Sequence, residues 1–102
     1  MRLVIMFDLP VKTAAQRRSA TQFRNFLIQD GYTMMQYSIY VRVCNGIEAI
    51  DKHRNRVLDS VPDNGSVRLL VVTEKQYAAM EILTGDYVEA DKGADQVQLQ
   101  LF

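Results

Sequence analysis

The chain begins with an apolar segment, which is followed by a helix with one apolar face. Residues 2–8, RLVIMFD, contain five consecutive apolar positions and predict a β-strand that ends on the carboxylate of Asp8. The stretch Thr13–Gln16 fits a capping box and starts a helix that we expect to reach about Asp30, where Gly31 ends it. Apolar residues recur along this helix at three- and four-residue spacing, at Ala20, Phe23 and Leu27. The pattern therefore predicts an amphipathic helix that packs on a sheet.

A hairpin, a second helix and a further strand follow. Residues 32–43 are rich in aromatic and β-branched side chains, with a break near residues 36–37, and predict two short paired strands. A second helix begins at Asn45 and ends before the turn sequence of residues 62–65, PDNG. The apolar residues expected on one face of this helix are Ile47, Ile50, Val57, Leu58 and Val61. Residues 67–73, VRLLVVT, predict the next strand, so the order of elements is βαββαβ.

This order is the split βαβ arrangement of the ferredoxin-like fold, which belongs to the α+β class. Right-handed crossovers place both helices on one face of an antiparallel sheet and the first strand near its centre. However, residues 3–7 and 69–72 are apolar on both sides, whereas a strand with one wet face alternates apolar and polar residues. We therefore predict a homodimer in which a second copy packs sheet to sheet on the other face. The alternating residues 96–102 predict an extra C-terminal strand, so that the tail, about residues 84–102, pairs with an edge of its own sheet or its partner's.

The size and composition indicate one domain, residues 1–102, without a linker. The single cysteine, Cys44, excludes an internal disulfide, and we expect it to pack as a small apolar residue. No segment has the features of a secretion signal, and no apolar run approaches the ~20 residues that cross a bilayer. These features predict a soluble protein of the reducing cytoplasm without membrane association.

The net charge is zero, but the charges are unevenly distributed. Residues 1–56 contain nine Lys or Arg and four Asp or Glu, whereas residues 57–102 contain three and eight. Any basic surface would therefore come from the first half of the chain, although charges of both signs also simply solvate a surface. Lys12, Arg17 and Arg18 lie near the start of the first helix, close to the segment after Asp8. They are the leading candidates for contacts with nucleic-acid phosphates, and the weaker candidates are Arg24 and Arg42.

Asp8 allows two interpretations. It can be a turn residue, since Asp caps backbone groups well and Pro10 stiffens the segment that follows. It can also be a ligand for Mg²⁺, which proteins usually hold with one or two carboxylates, water molecules and phosphate oxygens. A two-fold axis close to Asp8 would supply a second carboxylate from the other chain.

Three stretches resemble the CRISPR-associated Cas-two family, the small subunit of the complex that acquires new spacers. They are Phe7–Pro10 (FDLP), Phe23–Leu27 (FRNFL) leading to Gly31–Tyr32, and Met34–Tyr40 (MMQYSIY), in which Gln36 and Ser38 match the family's Q-x-S hairpin. The spacing of these stretches is most similar to members from systems with a single large RNA-guided effector nuclease. The C-terminal third matches only loosely.

The resemblance implies both a fold and a role. It implies a ferredoxin-like homodimer, a Mg²⁺-dependent endonuclease activity centred on Asp8, and a structural place between two dimers of the CRISPR integrase. That heterohexamer would hold a double-stranded DNA prespacer.

The remaining candidates for chemistry are few. His53, the only histidine, lies in a polar run and is expected to be a solvated surface residue; Asp30 and Asp51 are expected to be ordinary surface residues. The chain therefore offers no evident group to move protons near Asp8, which favours a DNA-binding scaffold. A metal-dependent endoribonuclease or a toxin-like ribonuclease on the same scaffold remains the alternative. An RNA-recognition module shares the strand order, but the third strand lacks the signature of that module.

Overall fold

The computed structural model describes residues 1–85, and the predicted strand at residues 96–102 lies outside this range. The elements are β1 (Arg2–Asp8), α1 (Ala14–Gln29), β2 (Thr33–Gln36), β3 (Ile39–Val43), α2 (Ile47–Leu58), β4 (Ser66–Val72) and α3 (Glu74–Ala78). The predicted order βαββαβ is confirmed. The short helix α3 was not predicted, although Thr73 and Gln76 form a capping box of the same kind as that of α1. No helix among these residues is long and apolar enough to cross a bilayer.

The four strands form one sheet in the order β2-β3-β1-β4, and all three pairings are antiparallel. This is the ferredoxin-like arrangement that the sequence predicts, with β1 in the interior of the sheet. The side chains of β1 point alternately to the two faces. Leu3, Ile5 and Phe7 face the core, and the even-numbered residues of β1 face the opposite side, which we call the outer face.

The helix α1 is specified by local chemistry and by its apolar stripe. The Thr13 hydroxyl accepts a hydrogen bond from the Gln16 backbone N–H at 3.1 Å, and the Gln16 side-chain oxygen accepts one from the Thr13 N–H at 3.1 Å. Its buried residues, Ala20, Phe23 and Leu27, are those that the sequence predicts. Phe23 meets Phe7 of β1 edge to face, with ring centroids 5.2 Å apart. The central strand and α1 therefore share one core.

The outer face of the sheet is apolar at its centre, although Arg68, which pairs with Met6, also lies on it. Val4 of β1 pairs with Val41 of β3 and Leu70 of β4, and residues opposite one another in a sheet share a face. One end of this face is covered by α3, because the Arg2 guanidinium lies 3.9 Å above the centre of the Tyr77 ring. Leu70 remains half exposed. The chain's own helix thus covers only part of the surface for which we predicted a second copy.

The predicted apolar face of α2 is partly wrong. The helix begins after Gly46, with no side-chain cap, and its buried residues are Ile50, His53 and Val57. These residues are three and four positions apart and therefore form one stripe. Ile47 lies in the first turn and Leu58 is about 100° around the helix from Val57, and both are largely exposed.

His53 belongs to a buried polar network, so the expectation that His53 and Asp30 are surface residues is wrong. The His53 ring is only 4 % exposed. Its Nδ1 lies 2.8 Å from an Asp30 oxygen, and its Nε2 lies 2.8 Å from a guanidinium nitrogen of Arg42. The other Asp30 oxygen accepts a hydrogen bond from Arg56 at 2.7 Å. Arg42 can reach α2 because it pairs with Leu3 in the sheet and therefore faces the core side.

The chemistry of the partners assigns the tautomer of His53. Arginine can only donate hydrogen bonds, so His53 Nε2 must accept from Arg42, and Nδ1–H must donate to Asp30. Gly31 makes room for this arrangement, because a Cβ atom at this position would lie 2.7 Å from Arg42 Nη1. Its φ of +95° also ends α1 in the left-handed region.

The network affects the ionisation of Asp30. Burial of the carboxylate raises its pKa, but hydrogen bonds from His53 and Arg56 and the charge of Arg56 outweigh burial, so the pKa of Asp30 is lowered from its usual value. A lowered pKa in the folded protein stabilises the fold at pH values above the pKa of the unfolded chain. This stabilisation is lost as the pH falls through the pKa of the folded state.

We predict that Asp30→Asn lowers the free energy of unfolding at neutral pH by about 1–3 kcal/mol, because it removes hydrogen bonds to a charged group. The variant should also lose less stability than the wild type when the pH is lowered below the usual aspartate value of about 3.9. Urea unfolding across this acid range measures both effects. The matched control is Asp51→Asn, because Asp51 forms an exposed pair with Arg54 at 3.4 Å and should contribute less than about 1 kcal/mol. Equal effects of the two changes would contradict the assigned role of the network.

Candidate metal and nucleic-acid site

Asp8 is the last residue of β1 and lies on the outer face. It pairs with Ser66, the first residue of β4, and its side chain is exposed. The alternation that buries Phe7 directs Asp8 to the same side as Val4 and Met6. The carboxylate therefore lies at one end of the outer face, next to the Met6–Arg68 pair.

The backbone around Asp8 is fixed by close contact with the turn before β4. Gly65 has a φ of +94°, and a Cβ atom there would lie 2.6 Å from the Asp8 carbonyl oxygen and 2.9 Å from the Leu9 side chain. The same hypothetical atom would lie 3.0 Å from Pro10 Cδ. The sequence indicated Gly65 only as a turn residue, because the approach of two distant segments leaves no local signal. Gly65 is thus a supporting residue of the Asp8 segment.

The basic residues near the start of α1 are partly organised. The Arg17 guanidinium donates hydrogen bonds to the backbone carbonyls of Val11 and Lys12, both at 3.1 Å. It therefore remains exposed but is held against the loop that follows Pro10. Lys12 and Arg18 are exposed beside it. The structure thus places Arg17 in contact with Lys12, and the third leading candidate for phosphate contacts, Arg18, follows Arg17 in α1.

The two weaker candidates lie in other environments. Arg24 is half-buried, and its guanidinium carbon lies 5.9 Å from the centre of the Phe7 ring and 5.7 Å from that of Tyr37. Arg42 is half-buried on the core side and bonded to His53. Of the five predicted basic residues, Lys12, Arg17 and Arg18 form a group near the loop after Pro10, which we call the loop cluster. Arg24 and Arg42 lie apart from it.

The residues of one chain fit Mg²⁺ only in part. Among residues 1–85, no three or more His, Cys, Asp or Glu side chains converge as a metal cluster. An exposed carboxylate such as Asp8 fits an ion that keeps most of its water ligands. A site with two carboxylates from this position would require the Asp8 of a second copy.

Neither His53 nor Cys44, the candidate proton-transfer groups of the sequence, lies beside Asp8. His53 contacts Arg42 on the core side of the sheet, opposite the outer face. Cys44 is buried, as predicted, and burial raises the pKa of its thiol. Both groups are therefore unsuited to activate a water molecule at Asp8.

Comparison with known proteins connects this arrangement to a family. The family model described as CRISPR associated protein Cas2 matches residues 1–80, which include β1, the loop cluster and the whole sheet. The chain belongs to the Cas2 family. The resemblance found in the FDLP and hairpin stretches is therefore confirmed.

Curated relatives extend over the whole chain. A protein from Acidovorax ebreus named CRISPR-associated endoribonuclease Cas2 is 48% identical over 102 residues, which is the full length of both chains. A protein of the same name from Campylobacter jejuni is 40% identical over all of this chain and 71% of its own length. The crystal structure of Streptococcus pyogenes Cas2 at pH 6.5 matches with a TM-score of 0.62 over 82% of this chain and all of that chain. Its 18% identity supports the fold alone.

We predict that Gly65→Ala displaces the Asp8 segment, because the added methyl group would overlap the Asp8 carbonyl oxygen. The control is Gly46→Ala, since Gly46 also has a positive φ but no atom within 4 Å of a Cβ placed there. Both changes should destabilise the fold through backbone strain. Only Gly65→Ala should shift the amide resonances of Asp8 and Leu9 in NMR spectra. Unshifted resonances in that variant would refute the supporting role of Gly65.

Proposed function

We propose that this Cas2-family protein acts in CRISPR adaptation as a homodimeric DNA-binding scaffold that bridges two integrase dimers. The proposal is based on the difference between the residues on the two faces of the sheet. Asp8 and an apolar surface share the outer face, whereas the only histidine lies on the core side. The outer face is therefore better suited to pack against a second copy of the chain than to hydrolyse a phosphodiester, because the histidine is not near Asp8.

The homodimer is proposed from the outer face. Leu70 is 50% exposed and Val43 is 49% exposed, although both lie in strands that pair with the central strand β1. A second sheet packed on these residues would remove their side chains from water. A two-fold axis near the end of β1 would bring two copies of Asp8 together. Two such carboxylates repel each other, and Mg²⁺ would relieve the repulsion.

The loop cluster of Lys12, Arg17 and Arg18 supports binding of double-stranded DNA. Arg17 is oriented by the carbonyls of Val11 and Lys12, so its position is set before any ligand arrives. Contacts between basic residues and phosphates hold a duplex with little sequence preference, as a prespacer-binding scaffold requires. A dimer would present the cluster twice, on the two sides of the axis.

The second candidate is a Mg²⁺-dependent endoribonuclease that acts without the integrase. The names of the curated relatives favour it, because they are CRISPR-associated endoribonucleases. The exposed Asp8 could bind a metal ion that activates a water molecule on a phosphodiester. This activity would be additional to the scaffold and would depend on Asp8 of both chains.

We predict that DNA binding depends on the loop cluster and weakens steeply with salt. Alanine at Lys12, Arg17 and Arg18 should lower the affinity for a short duplex. Each lost phosphate contact should reduce the slope of log affinity against log salt by roughly 0.9. Fluorescence anisotropy at several salt concentrations measures both quantities. Alanine at Lys52, an exposed residue of α2, is the control for loss of charge alone. An unchanged affinity and slope in the triple variant would show that DNA binds to a different surface of the protein.

We predict that Asp8→Asn abolishes metal-dependent nuclease activity of the isolated dimer but leaves spacer integration largely intact. The change preserves the shape of the side chain and removes its charge. The measurement is integration by the complex reconstituted with the integrase, a duplex prespacer and either dimer.

Sedimentation at micromolar concentration must first show that both proteins are dimers of equal stability. If integration fails while the complex still assembles on DNA, Asp8 has a chemical role in acquisition and the scaffold proposal is wrong. If both dimers cleave RNA equally, Asp8 is not the nuclease centre. A monomeric wild-type protein would exclude the homodimer.

A further inference from the structure

Tyr37 is an exposed aromatic residue that the proposed scaffold leaves unused. It lies in the turn between β2 and β3, and 80% of its surface is accessible. Single exposed apolar residues are common and require no explanation by themselves. Two further observations, on the turn and on a neighbouring arginine, distinguish this one.

The turn holds Tyr37 at the end of the central strand. Ser38 has a φ of +65° and is the only residue other than glycine with a positive φ within residues 1–85. This conformation is strained for a side chain with a Cβ atom, and such strain is often found at functional sites. The Ser38 carbonyl accepts a hydrogen bond from the Phe7 N–H at 3.1 Å. Tyr37 is thus anchored beside the residue that precedes Asp8.

Arg24 contacts the Tyr37 ring and connects it to the basic side of α1. Its guanidinium carbon is 5.7 Å from the centre of the Tyr37 ring, within the range of a cation–π interaction. Arg17 and Arg24 are seven residues apart, so they lie about 20° apart around α1 and about 10 Å apart along it. Arg24 is thus separate from the loop cluster but lies on the same side of α1, so that Lys12, Arg17 and Arg24 form an interrupted basic track toward Tyr37.

We propose that Tyr37 and Arg24 form a stacking site for one unpaired nucleobase at the end of this basic track. A track of positive charge combined with an aromatic ring is typical of proteins that bind single-stranded nucleic acid. The face of a base inside a duplex is already stacked, so the ligand is an unpaired nucleotide. It belongs either to a single strand or to the open end of a duplex. The inference rests on the proposed nucleic-acid binding and names the part of the ligand that is recognised.

The test compares Tyr37→Leu with Tyr37→Phe, which retains the aromatic ring. The probes are a short single-stranded RNA, the same DNA sequence, a blunt duplex and a duplex with a single-stranded overhang. Each of the probes with unpaired nucleotides carries 2-aminopurine at an unpaired position. We expect Tyr37→Leu to lose roughly 5- to 100-fold in affinity for these probes, and Tyr37→Phe to remain within about twofold. Stacking should quench 2-aminopurine fluorescence in the wild type and in Tyr37→Phe only.

The outcomes separate this inference from the proposed function. Binding of the blunt duplex should be unchanged by Tyr37→Leu but weakened by alanine at Lys12, Arg17 and Arg18. If Tyr37→Leu binds every probe as the wild type does, the stacking site is refuted while the scaffold stands. If it weakens all four probes equally or alters the dimer, Tyr37 is structural and the inference also fails. If the wild type binds no probe, the proposed function fails as well.

The two sources of the unpaired base are distinguished by the same probes. A loss confined to the two single strands assigns the site to free single strands, and a loss confined to the overhang duplex assigns it to open duplex ends. The expected loss for all three probes shows that the site accepts an unpaired nucleotide from either source. Ile47→Ala is the control for truncating an exposed apolar residue, because Ile47 is 72% exposed and starts α2, just after β3 ends at the far end of the sheet. A comparable loss of affinity in Ile47→Ala would show that the effect is not specific to stacking and would overturn the proposal.

Discussion

The register of the central strand determines where every group of interest lies. In β1 the odd-numbered side chains enter the core and the even-numbered ones reach the outer face, and both sets are apolar up to Phe7. A slip of one residue would exchange the two faces. Asp8 would then point toward the helices, and Leu3, Ile5 and Phe7 would leave the core. Cross-strand pairing on both sides of β1 excludes such a slip, because Leu3 pairs with both Arg42 and Val71.

The elements defined by local chemistry could be predicted from the sequence. The capping box of α1, its buried stripe and the glycine that ends it each depend on residues that are close together in the sequence. The ferredoxin-like order followed from the alternation of strands and helices, and the family followed from three short motifs. The position of Asp8 as the last residue of the first strand followed from its place at the end of an apolar run.

The errors arose where the deciding contact joins distant segments. His53 lies in a run of polar residues, and no local pattern indicates that its turn of α2 faces Arg42 and Asp30. For the same reason the supporting role of Gly65 was not predicted, because the atom that it approaches is in the distant backbone of Asp8. Tyr37 was visible in the sequence only as part of a strand-forming stretch. Its exposure became clear only with the turn at Ser38 and the neighbouring Arg24.

Gly31 satisfies two independent requirements with one missing side chain. Helices often end on a left-handed residue, and asparagine can replace glycine at such a position at modest cost. Here the space that a side chain would occupy is filled by the Arg42 guanidinium, at 2.7 Å from the hypothetical Cβ. Asparagine would therefore satisfy the helix end, but the Arg42 guanidinium would have to shift away from the added Cβ atom. The end of α1 and the position of the Arg42 guanidinium thus both favour a residue without a Cβ atom at position 31.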